Sequence, residues 1–350
     1  MQDVWPVGPV YSVWLVWPVW LDDLRMNHHP NRITLPGFAE FSNLATTLRP
    51  FLCYAFYMTV HVPVLVDPIL ELLDIQPNDI VFDGTLGGGG HSREFLKRLG
   101  PDGRLIGFDR DPEAVESTRK TFDDPRVVLV DANYADAPEL LPQLEFPKID
   151  KILLDLGYSS DQLEDHDRGF SFNSDGPLDL RFNALAGEPA SRLVNRLGEK
   201  HLADLIYEFS QEKLSRRIAR KICKVRHAEK IETAAQLARI VRSCVPRTRG
   251  QKIDPATRTF QALRIAVNEE LKWLKVAMNR LPEMLNEGGR FAAISFHSME
   301  DRIVKQAFNA NDSLEVLTKK PLIADEAENE KNPRASSAKL RVALKKDPNG

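Results

Sequence analysis

The residues able to do chemistry stand where short apolar runs end. Ile80-Val81-Phe82 runs into Asp83-Gly84-Thr85-Leu86-Gly87-Gly88-Gly89-Gly90-His91, and Arg104–Phe108 ends in Asp109. Arg126–Val130 ends at Asp131-Ala132-Asn133-Tyr134, Lys151–Leu154 at Asp155-Leu156-Gly157, and Arg290–Phe296 at His297-Ser298-Met299-Glu300. A strand that stops at an acid and continues as glycines lets backbone approach a ligand closely, with a carboxylate beside it. The glycine spacing narrows the ligand. A dinucleotide fingerprint needs Gly at i, i+2 and i+5, but counting from Gly87 or Gly88 puts Ser92 or Arg93 in the last place, and no Gly-Lys-Ser/Thr of a phosphate loop follows. An acid, then glycines, with no pyrophosphate to cradle, is the pattern of an S-adenosylmethionine site, with Asp83 near the loop and the methionine end. Asp109 is placed to accept ribose hydroxyls, a duty shared by NAD and S-adenosylmethionine sites. Any one of these acids could instead satisfy its local turn; four in register favour a common ligand.

Such strand ends need a parallel sheet to hold them. The pattern predicts a doubly wound α/β fold with helices over Val66–Leu73 and His91–Arg98. After Lys151–Leu154 the strand rhythm stops. Asp165–Asp179 reads as an ordered loop over the site, and Ala190–Leu197, Leu202–Val225 and Thr233–Cys244 read as helices of an inserted domain. A long helix from Pro255 to about Leu285, closed by Gly288-Gly289, returns the chain to the sheet. Ser298-x-x-Asp301 reads as a capping box for a helix over Glu300–Phe308, a structural duty that His297 lacks. Lys339–Leu344 is expected as a last edge strand.

Composition sets outer bounds. With 350 residues, 47 basic against 50 acidic and 43% apolar, the chain is too balanced for a basic coat protein or an acidic disordered tail. Cys53, Cys223 and Cys244 lie too far apart for a disulfide scaffold or a CxxC knuckle and suit a reducing, cytoplasmic setting. The balance hides an asymmetry: Gln211–Arg264 carries 15 Lys/Arg against 4 Asp/Glu, while the whole chain sums to −3. Arg216, Arg220 and Lys224 fall on one helical stripe beside Arg217, and Arg247, Arg249 and Arg258 follow. A basic stripe near a ligand cleft is the footprint of a nucleic-acid partner; a solvated helix face is the alternative. Four of the five tryptophans lie within the first 20 residues. The apolar run Pro9–Leu21 is interrupted by Pro18 and falls short of the roughly 17–25 residues of a spanning helix. Residues 1–57 are therefore expected to lie outside the working fold, or upstream of a start at Met58; a membrane-surface or partner-binding extension is the rival.

Longer motifs identify a resemblance. His61-Val62-Pro63-Val64-Leu65, Asp83–Gly87, Gly89–Ser92, Asp109–Pro112, Leu153–Ser160, Gln162, Arg168–Phe172, Gly176–Asp179, Pro255–Gln261, Ser295–Arg302 and Asn332–Arg334 stand in the order of the small-subunit (16S) ribosomal RNA cytosine-N4 methyltransferases (MraW/RsmH). The chain resembles that family from about His61 to Lys346. The resemblance implies a class I S-adenosylmethionine-dependent methyltransferase (a Rossmann-like doubly wound sheet) with an inserted helical domain. Its boundaries are 58–160 and 254–347 for the catalytic domain and 161–253 for an RNA-recognition insert. It also implies S-adenosylmethionine as donor and a cytidine of the decoding region as acceptor. Gly89, Gly90 and His91 would contact the donor, Asp109 its ribose and Tyr134 its adenine, with Asp155 and Gln162 completing the pocket. Tyr134 stands where the family commonly has Phe, which preserves stacking but adds a hydroxyl.

Cytosine N4 is a poor nucleophile because its lone pair is conjugated. An acceptor of its N–H bonds must turn that lone pair toward the methyl, and Asp155 with the loop 157–160 is expected to do so. His297 or Glu300 would position the base or take its proton. No metal is expected. A cytosine-C5 enzyme would need a cysteine nucleophile, and no cysteine stands at a strand end. A DNA amino-methyltransferase would carry Pro-Pro-aromatic where Leu156-Gly157-Tyr158 stands. An RNA-binding assembly factor with a relic donor pocket is the non-catalytic rival.

Overall fold

A computed structural model describes residues 63–171, 175–246 and 254–347; the tryptophan-rich start and Arg247 and Arg249 lie outside them. Among the described residues, seven strands make one sheet: β1 Ile80–Asp83, β2 Arg104–Asp109, β3 Val127–Asp131, β4 Ile149–Asp155, β5 Leu285–Ser295, β6 Leu314–Val316 and β7 Lys339–Lys345. Their order is β3-β2-β1-β4-β5-β7-β6, the first five parallel and β7 antiparallel to both neighbours. The fold is the expected class I methyltransferase architecture. Strand order reverses between β1 and β4, so the loops leaving these two strands diverge and leave a crevice at their carboxyl ends.

The short apolar runs are buried on both faces, with neighbouring residues going to opposite cores. Val81, Leu105 and Leu153 pack with Ile69 and Leu73 of α1 (Val66–Leu73) and Phe95 of α2 (Gly90–Leu96). Phe82, Ile106 and Leu154 pack against the other layer, which includes Leu274 and Met278. Helices α3 (Pro112–Arg119), α4 (Ala137–Gln143) and α5 (Ser160–Glu164) complete the first half.

The insert has a core of its own. Helices α6 (Ala190–Arg196), α7 (Glu199–Ser210), α8 (Ser215–Arg226) and α9 (Ala234–Cys244) bury Val194, Ile206, Ile218, Ile222 and Leu237 together. Phe260 and Leu263 of α10 (Thr257–Asn268) and Ala256 just before it join that core, past the expected boundary at 253.

Several expected boundaries are corrected. The helix read over Leu202–Val225 is α7 and α8, because Gln211 takes a left-handed φ of 55° and ends α7. The helix read from Pro255 to Leu285 breaks at Glu269 (φ 49°) into α10 and α11 (Glu270–Met284). There the buried Asn268 side chain bonds Leu180 O, Arg264 O and Phe182 N, which anchors the break to the insert. Gly288-Gly289 lie inside β5 rather than before it. The capping box of α12 (Ser298–Ala310) is not Ser298 with Asp301. His297 is the N-cap: its Nδ1 accepts from Glu300 N, and the Glu300 carboxylate accepts from His297 N. Asp301 instead pairs with Arg341 at 2.7 Å. Finally, β7 is not an edge, because the three-residue β6, too short to show periodicity, flanks it. A last helix, α13, spans Glu326–Lys331.

Candidate functional site

A cavity of about 360 Å³ opens at the carboxyl ends of the central strands, lined by the loops after β1, β2 and β4 and by Tyr134, Phe182, Arg264, Glu300 and Arg334. Its walls are positioned by hydrogen bonds made within those loops. Thr85 ties two strands together: its N–H donates to Asp83 Oδ1 (3.1 Å), and its Oγ1 accepts the Asp155 N–H (2.7 Å). Asp109 Oδ2 accepts Gly87 N (2.8 Å) while Oδ1 accepts Asp111 N (2.9 Å), so this carboxylate pins the glycine loop to the end of β2. Gly87 itself has φ +48°, a conformation that disfavours a side chain.

The loop after β4 is fixed by a buried polar knot. Gln162 Nε2 and Arg168 Nη2 both donate to Asp111 Oδ2 at 2.9 Å, and the same Arg168 nitrogen donates to Phe182 O. Ser159 and Gln162 exchange two backbone-to-side-chain bonds of 3.1 and 3.2 Å. Gln162 thus lines the cavity and also holds the loop that follows β4.

The expected donor residues Gly90, His91, Asp109, Tyr134, Asp155 and Gln162 all line the cavity; Asp83 and Gly89 do not. Asp83 is buried beneath the loop, receiving Ser92 Oγ at 2.7 Å, so it acts on the cavity by charge rather than contact. Gly89 is the left-handed residue that starts α2. Of the expected catalytic residues, Asp155 and Glu300 reach the cavity and His297 does not. His297 Nε2 lies 3.1 Å from Glu300 Oε1, out of line for a hydrogen bond.

Sequence reasoning missed the other side of the site. Arg264, counted among the basic surface residues, is buried and grips Glu270 through two bonds of 2.8 Å. Its guanidinium lies 4.9 Å from the Tyr158 ring centre, and that ring stacks on Phe170, which stacks on Phe182. Nothing in a lone Arg within a basic run marks it for burial; its 6-residue offset from Glu270 across a helix break became a pair only in three dimensions. Glu270, His297 and Glu300 place ligand-type atoms within 4.8 Å of one another. Arg264 already answers the Glu270 charge there.

Electrostatically the cavity holds excess negative charge. Burial pushes Asp83 up to about 6, against hydrogen bonds from Ser92 and Thr85 that pull it down. Burial, with the charges of Asp111 and Asp83, brings Asp109 to about 6. Burial together with Asp83 and Glu300 pushes Asp155 up to about 8, only partly opposed by Arg334. Burial would also raise Glu300, but the contacts from His297, Arg264 and the Phe296 N–H outweigh it and hold Glu300 below its ordinary value. Three carboxyls that resist ionisation signal a site complementary to a cation. S-adenosylmethionine, with a sulfonium and an ammonium against one carboxylate, fits that donor set.

The fit has a measurable pH signature. These raised carboxyls are protonated at low pH, and a cation favours their ionised form. Donor affinity should therefore rise from pH 5 to about 8, with protons released on binding, and then level off. Calorimetry in buffers of different ionisation enthalpy checks this, and S-adenosylhomocysteine, with an uncharged sulfur, should show a shallower slope. Affinity flat across that range would refute the electrostatic fit.

Comparison with known proteins bears on the same residues. Residues 58–346 match the family model described as the MraW methylase family. A protein of Acidobacterium capsulatum named ribosomal RNA small subunit methyltransferase H is 47% identical over 298 residues, covering 82% of this chain and 98% of that one. A protein of Deinococcus radiodurans with the same name is 48% identical over 282 residues, covering 81% and 88%. A Rhodopirellula baltica protein, again so named, is 47% identical over 297 residues, covering 81% and 91%.

Proposed function

This chain belongs to the MraW methylase family, and on that footing we propose that it methylates N4 of a cytidine in the decoding region of small-subunit ribosomal RNA. S-adenosylmethionine is the donor, supplying a methyl made electrophilic by its sulfonium. One observation carries the choice of an amino group as acceptor: Asp155 Oδ1 is buried on the cavity wall with no hydrogen-bond partner among the described residues. A buried acceptor left open costs about 1–3 kcal/mol, a cost that a substrate N–H recovers. Accepting an N4–H bond there turns the nitrogen lone pair out of conjugation. Gly157, at φ +107° two residues after Asp155, lets the backbone turn along the same cavity wall.

The proton assignments narrow accordingly. His297 is occupied with capping α12, and Glu300, held below its usual range, is a weak base that serves as fixed negative charge. Asp155, pushed up to about 8, has the proton affinity the step requires. The N4 lone pair forms the new N–C bond, the methyl–sulfur bonding pair stays on sulfur, and one N4 proton passes to the Asp155 carboxylate.

Arg216, Arg217, Arg220, Lys224 and Arg258 are exposed on the insert and are assigned to the RNA phosphates; Arg247 and Arg249 lie outside the described residues. The test is transfer of labelled methyl from the donor to free small-subunit RNA and to purified subunits, followed by nucleoside analysis. N4-methylcytidine is the expected product. Donor binding with no methylated nucleoside from either substrate would favour the relic assembly factor.

A further inference from the structure

A proton taken up by Asp155 must leave it again for the ionised acceptor to be maintained. Asp155 Oδ2 lies 3.6 Å from His91 Nδ1, inside the cavity wall. The other ring nitrogen, Nε2, lies 2.8 Å from the Val64 carbonyl oxygen. A carbonyl only accepts, so Nε2 carries the hydrogen, and Nδ1 is the nitrogen that faces Asp155. The ring is buried and lies over Phe95, with ring centres 6.3 Å apart. Flipping it would set a C–H against Val64 O. The 3.6 Å gap is longer than a hydrogen bond, and such contacts often tighten only in the loaded complex.

We propose that His91 is a positioning and proton-sharing partner of Asp155: the proton taken from cytosine N4 by the Asp155 carboxylate moves from Oδ1 to Oδ2 and from there to His91 Nδ1. The proposal rests on the N4-transfer reading. The N4–H bonding pair stays on nitrogen as the proton leaves, and the imidazolium that results has an acceptor for each N–H, Val64 O on one side and the Asp155 carboxylate on the other. Pushed up to about 8, Asp155 holds its proton at neutral pH, and a base facing Oδ2 draws that proton off Oδ1, the oxygen that must accept. The charged groups facing it are Asp83 from β1 and Glu300 from α12, which favour protonation, and Arg334, which opposes it. The imidazole facing Oδ2 is that of His91.

His91→Gln tests this, because its amide reaches the place of Nε2 and keeps a donor for Val64 while leaving the Nδ1 position empty. Turnover is measured at saturating donor, and donor affinity is measured by calorimetry at pH 9 to detect a lost donor contact. Single-turnover methylation at pH 7 should fall at least about tenfold, with the acid limb of the pH–rate profile moving up by about one unit or more and the rate recovering near pH 9. A loss that tracks weakened donor binding, with the limb unmoved, would overturn the relay and leave His91 a donor contact. Imidazole ¹⁵N resonances of the wild-type, donor-free protein give an independent readout. Nδ1 should be an unprotonated acceptor at neutral pH, and the His91 titration should shift downward in Asp155→Asn; an Nδ1–H tautomer overturns the proposal whatever the variant does. Absence of N4-methylcytidine from wild type at every pH would instead refute the assigned reaction.

Discussion

Asp155→Asn is expected to stop methyl transfer and at the same time make the donor-free protein harder to unfold. The amide keeps the side-chain shape but offers no base, and its NH₂ presents hydrogens where an acceptor is needed. Loss of general-base and orienting duty together corresponds to about 10³-fold or more in single-turnover rate. Donor binding should weaken but persist, because Asp109 and the glycine loop are untouched.

The stability gain follows from linkage. Asp155 is raised to about 8 in the folded protein from the ordinary carboxylate value of 3.8. A raised acid is at no disadvantage below its unfolded value, and its folded state loses stability as pH rises through 4 toward 8. Asn carries no such loss. The melting temperatures of the two proteins should therefore converge near pH 4–5 and separate by pH 8 in favour of Asn. The difference is on the order of a few kcal/mol, several degrees, since the side chain is largely but not wholly withdrawn from water. Turnover near wild type, or a melting difference independent of pH, would sink the account of this residue.

That trade-off also explains which parts of the site were legible in the sequence. The residues that face the ligand sit directly after apolar runs, so local pattern located Asp109, Asp155 and the glycine loop without any knowledge of tertiary contacts. The residues that face them from elsewhere carried no local mark. Arg264 and Glu270 come from two helices meeting at Asn268, and Arg334 lies in a 3₁₀ turn over Pro333–Ser337. Helix breaks were missed for a related reason. Gln211 and Glu269 are ordinary helix formers by type, and only the packing of Asn268 and the buried Glu212, which accepts Leu214 N, makes a left-handed turn the better solution there. The sequence pattern also overstated the basic surface, since Arg264 is buried and Arg226 spends its guanidinium on Val194 O and Leu197 O.

What survives that correction is one face of α8. Ser215, Ile218, Ala219, Ile222 and Cys223 are buried, while Arg216, Arg217, Arg220 and Lys224 are all exposed. The helix therefore has a buried, mostly apolar side and an exposed cationic side. Among the described residues, the acidic partner on that cationic side is Glu199, 3.4 Å from Arg220 with both side chains exposed, and a pair of that kind contributes about 0–1 kcal/mol. Changing Arg216, Arg217, Arg220 and Lys224 together to Ala removes no buried contact, so the melting temperature should hold. If the face tracks RNA phosphates, the KM for RNA rises about 10²-fold or more at physiological salt, and the slope of log affinity against log salt becomes shallower by about 3. The rate at saturating RNA and the affinity for the donor stay near wild type, because neither Asp155 nor the glycine loop has changed. This is the opposite split from Asp155→Asn, which lowers the rate and leaves RNA affinity in place. A solvated face with no partner gives a different result: four alanines with an unchanged salt slope and an unchanged KM.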